Sequence, residues 1–120
     1  MKDEKCLFCK IAAREEPSVI VWENEEFMCI ENKYPVAPVH VLVIPKSHEA
    51  KKAWIEAPNV GVTLSEFWGK MMLSVFTVVT ELGLDKTGYK LVNNGAGYNH
   101  FEHEHMHILG GSAKEPGGTT

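Results

Sequence analysis

The sequence predicts an α+β fold, with a mainly antiparallel sheet of about five strands, one long helix and one short helix. Two observations support this prediction. Short β-branched or apolar segments outnumber the helical segments along the 120 residues, and most of them are joined by short links. One long segment has apolar residues at the three- and four-residue spacing of an amphipathic helix.

The front of the chain is predicted to form a short helix followed by a hairpin. Leu7–Arg14 has a helical pattern that ends before Pro17, because a proline disfavours the α conformation at the residue preceding it. Val19–Glu23 and Phe27–Glu31 are predicted strands. Polar residues between them predict a turn, so the two strands are expected to pair.

Three more strands are predicted further along. His40–Ile44 is nearly all apolar and stands between two prolines, which is typical of a central strand buried on both faces. Tyr89–Asn93 is the next predicted strand, and Gly95–Gly97 is a predicted flexible loop. His103–Leu109 is the last predicted strand.

The long helix is predicted to begin at Thr63, which forms a capping box with Glu66, and to end at Gly83. Its apolar residues occupy an arc of about 240°, whereas one core face needs only ~100°. Leu73 and Phe76 account for the extra width. Burial by the chain itself is one explanation. We favour a second subunit that covers the extra face, and therefore a homodimer.

Composition argues against several classes of protein. The chain has 12 Lys and Arg against 16 Asp and Glu, a net charge of −4, so it lacks the basic surplus typical of nucleic-acid-polymer binding. A small anionic ligand held by a few local groups stays possible. The longest run without Asp, Glu, Lys, Arg or His, Met71–Thr80, is ten residues, against the ~20 needed to span a membrane.

The chain is predicted to be one domain, residues 1–111, with a flexible C-terminal tail at 112–120 that is rich in Gly, Thr and Pro. Its first residues mix both charges and lead into no apolar stretch, so we expect no signal peptide. Three cysteines cannot all pair within one chain. Together these features favour a reducing, cytoplasmic location.

The chemistry concentrates in a run of alternating histidines. In a strand, His103, His105 and His107 share one face at intervals of roughly 6.5 to 7 Å, while Met106 and Ile108 face the opposite way into a core. Three polar rings in a row each need a partner. Their spacing fits a zinc site, and it fits equally a phosphate site with a histidine nucleophile.

The segment His103–Gly111 resembles the signature of the histidine triad (HIT) superfamily of nucleotide hydrolases and transferases. Three other segments, in the same order as in that family, are similar to its remaining motifs: Phe8–Ile11 with Pro17, Pro38–His48, and Leu91–Gly95. Within the family, the chain is most similar to the Hint branch of purine nucleoside phosphoramidases. The resemblance implies a HIT-like fold, a homodimer whose sheet continues across both subunits, and nucleotidyl transfer to the middle histidine.

The resemblance also implies a role for individual residues. His105 matches the nucleophile, which would attack the α-phosphorus of a nucleoside phosphoramidate. His107 matches a phosphate contact, and His40 matches the histidine that supports the triad. The family's base pocket lies on the first hairpin. The residues that correspond to its nucleotide-binding positions are Asn93, Gly95, Gly97, Asn99, Asn32, Ile30 and Trp22.

The sequence departs from the family pattern at four positions. Asn99 replaces a glutamine, and His100 replaces the Ser or Thr often assigned to help the leaving group, a proton transfer that an imidazole can also perform. Asn32 replaces the acidic residue that binds the ribose hydroxyls, and Glu104 replaces an apolar residue. These changes keep the nucleophile and bear on nucleoside affinity and leaving-group preference.

A Cys-x-x-Cys pair, Cys6 and Cys9, has three interpretations: reduced structural cysteines, a redox pair, or half of a zinc site. A redox pair expects a βαβ setting, which the sequence does not predict. A structural zinc needs two more ligands. His48 and His103 supply them if the first helix packs beside the sheet, a set similar to that of many bacterial HIT proteins. His100 is the alternative fourth ligand. Such a zinc would be structural, and no organic cofactor is expected.

Three functional hypotheses follow. The favoured one is a nucleotidyl hydrolase acting on a small purine nucleotide conjugate, with a phosphoramidase preferred over a dinucleoside polyphosphate hydrolase. The second is a zinc-stabilised nucleotide-binding or adaptor protein without turnover, which Asn32, Asn99 and His100 favour. The third is a metallohydrolase that uses the histidine row as zinc ligands. It is disfavoured because no acidic residue stands on that face to act as a general base.

Overall fold

A computed structural model describes residues 5–56, 61–96 and 102–111 of the chain, with the backbone alone described for 61–63. Within these residues, five strands form one sheet in the order β1-β2-β3-β5-β4, and every neighbouring pair is antiparallel. The strands are β1 (Ile20–Glu23), β2 (Phe27–Glu31), β3 (Val39–Pro45), β4 (Tyr89–Val92) and β5 (Met106–Gly110). The predicted α+β class with an antiparallel sheet is confirmed.

Four helices accompany the sheet in the described residues: α1 (Leu7–Ala12), α2 (Lys51–Glu56), α3 (Gly61–Glu81) and α4 (Leu84–Thr87). The sequence predicted only the first and third of these. The helix α3 includes Gly61, two residues before the predicted start at Thr63, whose side chain lies outside the described part. Gly83 has a φ of 72°, a left-handed conformation that ends α3 as predicted.

The sheet has a different helix on each face. The helix α3 covers one face, where Met71, Val75 and Val78 pack against strand residues such as Val43 and Ile108. The helix α1 lies on the other face, and its cluster consists of Phe8, Ile11, Met28, Ile30, Leu42 and Ile44. Strand β3 contributes to both clusters because its side chains alternate between the two faces. It is therefore the doubly buried central strand that the sequence predicted.

The last strand is shorter than predicted. It begins at Met106 rather than His103, since the residues before it do not pair with β3. The backbone N–H of Glu104 donates instead to the carbonyl of Glu49, at 2.7 Å. Met106 and Ile108 do face the α3 cluster, as predicted.

The outer side of α3 is not covered by the part of the chain that the structure describes. Leu73 is 70% exposed and Phe76 is 47% exposed, and Tyr89 on the edge strand β4 is also exposed. Leu73 and Phe76 are the residues that the wide apolar arc assigned to a second subunit, and the homodimer stays a prediction. No helix among the described residues has the length and apolar character to cross a membrane. The predicted tail, 112–120, lies outside the described part.

Candidate active site and adjoining metal centre

Three imidazoles form a row on the face of the sheet opposite α3. His107 lies in β5, His105 lies just before that strand, and His40 lies in β3. The ring centroids of His105 and His107 are 5.2 Å apart, and those of His40 and His107 are 5.1 Å apart. Adjacent rings are therefore in contact, and the structure brings these three predicted catalytic residues together.

The backbone contact of His40 indicates where two rings hold their protons. The backbone N–H of Val36 donates to Nδ1 of His40 at 3.2 Å, so a neutral His40 has its proton on Nε2. That Nε2 lies 2.9 Å from Nδ1 of His107, which must then accept. A neutral His107 consequently has its proton on Nε2, where it can donate to a phosphate oxygen. Burial lowers the pKa of His40, in keeping with a neutral ring.

His105 is held in the other tautomer, with its proton on Nδ1. Its Nδ1 lies 2.8 Å from the backbone carbonyl oxygen of His103. A carbonyl can only accept, so Nδ1 of His105 donates and the neutral ring has its lone pair on Nε2. Phe8 of α1 packs edge-on against this ring, at 5.1 Å between centroids, and His105 is only 5% exposed. The arrangement offers a buried, oriented nitrogen nucleophile.

Asn93 lies behind the nucleophile. Its side-chain nitrogen donates to Oε2 of Glu104 at 2.7 Å and to the carbonyl oxygen of His105 at 3.1 Å. An amide nitrogen has two hydrogens, which these two acceptors match. The sequence placed Asn93 near the phosphate. Its donors in the structure are directed instead at the backbone and side chain of the triad segment.

The buried carboxylate of Glu104 forms an ion pair with the partly exposed Lys51, which the sequence did not predict. Glu104 is 2% exposed, and one oxygen of its carboxylate is paired with the ammonium of Lys51 in α2. Lys51 also donates to the carbonyl oxygen of Asn94, at 3.1 Å. The available signal was a carboxylate at a position that is usually apolar, because a buried carboxylate requires a cation or several donors.

A group of four potential metal ligands adjoins the histidine row. The ligand atoms of Cys6, Cys9, His48 and His103 all lie within 4.8 Å of one another. Nδ1 of His103 is 3.4 Å from the Sγ atoms of both cysteines, and Nδ1 of His48 is 3.4 Å from Sγ of Cys9. Zn–S bonds of ~2.3 Å and Zn–N bonds of ~2.0 Å at a tetrahedral angle require S···N distances of roughly 3.5 Å. The four residues therefore fit zinc.

Local hydrogen bonding prepares His103 for this role. Its Nε2 lies 2.7 Å from the carbonyl oxygen of Pro45, so Nε2 holds the proton and Nδ1 presents its lone pair to the cysteines. Burial lowers the pKa of His103 to about 4, which keeps the ring neutral. The ring of His103 also contacts those of His48 and Phe8. His103 thus belongs to the metal group through its ring and to the nucleophile through its carbonyl.

The predicted nucleotide-binding residues are distributed over both faces. Asn32 lies beside the histidine row, since its Nδ2 is 3.2 Å from Nε2 of His40. Ile30 is buried on the α1 face. Trp22 packs on the α3 face, so the structure does not bring it to the histidines. Gly95 lies beside Lys51, whose Cδ would be 3.3 Å from a Cβ placed there. Gly97 and Asn99 lie outside the described residues, as does His100, which was predicted as a catalytic residue and as an alternative zinc ligand.

Comparisons with known proteins agree with this geometry. A family model described as the HIT domain matches residues 13–114. The chain is 40% identical over 108 residues to protein HitA of Neisseria gonorrhoeae, covering 89% of this chain and 96% of that protein. It is 32% identical to a 14 kDa zinc-binding protein of Zea mays, covering 92% and 85% of the two chains.

Among solved structures, a HIT family hydrolase from Legionella pneumophila Philadelphia 1 superimposes with a TM-score of 0.78 at 34% identity, covering 90% of this chain and 94% of that one. The sequence motifs, the antiparallel fold and the row of histidines thus agree with an independent match over most of the chain. The protein belongs to the histidine triad (HIT) family.

Proposed function

We propose that the protein hydrolyses the P–N bond of purine nucleoside 5′-phosphoramidates or related nucleotidyl conjugates through a covalent nucleotidyl–His105 intermediate. One observation carries the proposal: Nδ1 of His105 donates to the carbonyl of His103, which places the lone pair of the neutral ring on Nε2, the atom that would attack. The likeness to a HIT family hydrolase supports the assignment to hydrolysis.

The reaction is a double displacement. Nε2 of His105 attacks the α-phosphorus, the P–N bond breaks, and the departing amine takes up a proton. Water then attacks the phosphorus, breaks its bond to Nε2, and releases a nucleoside 5′-monophosphate and free His105. His107, with its proton on Nε2, would donate to a phosphate oxygen as charge develops, and His40 would maintain that protonation. His100 is the proposed proton donor to the leaving group.

We also propose that zinc is a structural component of the protein. Cys6, Cys9, His48 and His103 would supply four ligands, which leaves no open coordination position for a substrate. The bound metal would fix α1 against the segment that leads into β5. The zinc-binding relative from Zea mays supports this proposal. Zinc binding requires reduced thiols, so it agrees with the proposed cytoplasmic location.

Two alternative functions would use the same site but differ in the substrate cleaved or in whether any substrate is cleaved. A dinucleoside polyphosphate hydrolase would use the same nucleophile with a phosphate leaving group. An adaptor protein would bind the nucleotide without turnover. A fluorogenic adenosine phosphoramidate, tested beside a dinucleoside polyphosphate and with and without a chelator, separates these possibilities.

We expect faster turnover of the phosphoramidate, and we expect that turnover to persist after brief chelation that leaves the fold intact. Absence of turnover with nucleotide binding retained would favour the adaptor. Turnover lost on chelation, with circular dichroism unchanged, would favour a metallohydrolase.

A further inference from the structure

The buried carboxylate of Glu104 contacts both Lys51 and Asn93, and so links three segments that are distant in sequence. Glu104 lies between the two histidines of the triad that precede β5, Lys51 begins α2, and Asn93 follows β4. Lys51 and Glu104 are 53 positions apart. An unpaired carboxylate buried to this extent would strongly destabilise the fold. Lys51 is the cation that contacts it, and its own side chain is 25% exposed.

The contacts of Glu104 continue to the nucleophile. One carboxylate oxygen binds Lys51, and the other accepts from Asn93 at 2.7 Å. Asn93 in turn donates to the carbonyl oxygen of His105. Because both donors of its amide are engaged, Asn93 cannot rotate without losing both bonds. The His105 backbone is therefore connected, through Asn93 and Glu104, to a charged group in the helix α2.

Lys51 makes a second connection, to the loop after β4. Its ammonium donates to the carbonyl of Asn94, and its aliphatic carbons lie against Gly95. A side chain at Gly95 would crowd Lys51, so the glycine allows the close approach. The same lysine thus holds the loop and, through Glu104 and Asn93, the nucleophile.

We propose that Lys51 is a positioning residue, which holds His105 and the loop at 93–95 in the arrangement required for nucleotidyl transfer. This inference rests on the proposed function, since it assumes that His105 attacks phosphorus. Displacements of about 1 Å from a reactive geometry can lower a rate by as much as ~100-fold. A loosened Asn93 would therefore lower kcat, whereas the affinity for the nucleotide would change little.

The test compares Lys51→Met with Lys52→Met in the full-length, metal-replete protein. Lys52 is the adjacent residue of the same helix, and its exposed ammonium lies 3.9 Å from Glu56. We expect kcat, measured per folded chain with an adenosine phosphoramidate, to fall about tenfold in Lys51→Met, with KM and the Kd for AMP within about twofold of wild type. Lys52→Met should retain the wild-type kcat.

A second variant distinguishes positioning from damage to the fold. In Lys51→Met/Glu104→Gln the unpaired charge is gone, and the amide oxygen of the new glutamine can still accept from Asn93. We expect its kcat to recover to within about threefold of wild type, a strongly non-additive effect. A wild-type kcat in folded Lys51→Met, or a double variant no better than the single one, would overturn the proposal.

One measurement is independent of activity. In the NMR spectrum of the substrate-free protein, the side-chain amide protons of Asn93 should exchange slowly with solvent in wild type and Lys52→Met, and rapidly in Lys51→Met. Equal exchange in all three would contradict the proposed linkage. If the exchange differs as expected but wild type has no turnover, the proposed function fails and the positional linkage stands.

Discussion

The carbonyl oxygen of His103 lies 2.8 Å from Nδ1 of His105, while the ring of His103 points at two cysteine sulfurs. One residue therefore serves two sites, through its backbone in one and its side chain in the other. Any shift of this residue changes the orientation of the His105 ring. The group of potential metal ligands and the candidate nucleophile are therefore coupled through His103.

Substitution of the nucleophile gives the most direct test of the mechanism. His105→Ala should abolish turnover and leave the melting temperature and AMP affinity close to those of wild type, because the loss concerns bond formation to phosphorus. Loss of covalent catalysis costs several kcal/mol at ~1.4 kcal/mol per tenfold change in rate. Steady-state rates with the phosphoramidate measure it. A variant that keeps more than about a tenth of the wild-type rate would show that another group attacks.

Metal content should depend on Cys9 and not on Cys29. The wild-type protein should contain about one zinc ion per chain, and Cys9→Ser should contain far less and melt at least ~5 °C lower. Cys29 lies in the α3 cluster on the opposite face, so Cys29→Ser serves as the matched control. Elemental analysis after metal-replete expression measures the stoichiometry. If wild type and both variants lack zinc alike, Cys6 and Cys9 are simply reduced thiols.

The pH dependence of stability should include a contribution from His40. Burial lowers its pKa in the folded protein below the ordinary value of 6.5. As the pH falls below 6.5, the unfolded chain binds a proton that the folded protein still rejects, so the free energy of unfolding decreases. This contribution is fully present above pH 6.5 and is lost as the pH falls through the folded pKa.

Urea unfolding at pH 7 and pH 5 measures this effect. The variant His40→Gln should lose less stability between the two pH values than wild type, because it lacks the titrating ring. An equal loss in both proteins would show that His40 is not a source of acid sensitivity.

The oligomeric state should depend on the outer side of α3. Phe76→Lys should raise the dissociation constant of the expected dimer at least about tenfold, because aromatic residues at the centre of an interface commonly contribute most to binding. Ile55→Lys on α2 is a matched control, since Ile55 is also an exposed apolar residue. Sedimentation velocity at micromolar concentration measures the change. A monomeric wild-type protein would contradict the predicted dimer, and Phe76 would then be an exposed aromatic residue on the surface of α3.

Local patterns predicted the sheet well and the helix α2 poorly. Strand β3 was recognisable because its apolar residues stand between prolines, and Gly83 was recognisable as a helix end. The helix α2 is six residues long, too short to show the helical period of apolar residues. The alternating histidines suggested a strand from His103. Extended backbone shows the same alternation of side chains whether or not it pairs with a neighbouring strand, and here the pairing with β3 begins only at Met106.

The residues of the candidate site also divide into those that a local pattern predicted and those that it missed. The row of His105 and His107 followed from spacing. The four potential zinc ligands were named from the Cys-x-x-Cys pair together with the resemblance to the HIT family. Lys51 was missed because its significance depends on Glu104, which is distant in sequence and reached only by folding. Glu104 stood out as an unusual residue, but no local pattern shows which cation a buried carboxylate meets.

The strand β3 sets the distance between the histidine row and the group of potential metal ligands. His40, near its start, binds the ring of His107, and the carbonyl of Pro45, at its end, binds the ring of His103. A single inserted or deleted residue between them would turn His40 to the opposite face, because side chains alternate along a strand. It would also displace Pro45 by one residue's length. The interior of β3 should therefore accept substitutions of similar size, while any change in its length would disrupt the metal centre and the histidine row together.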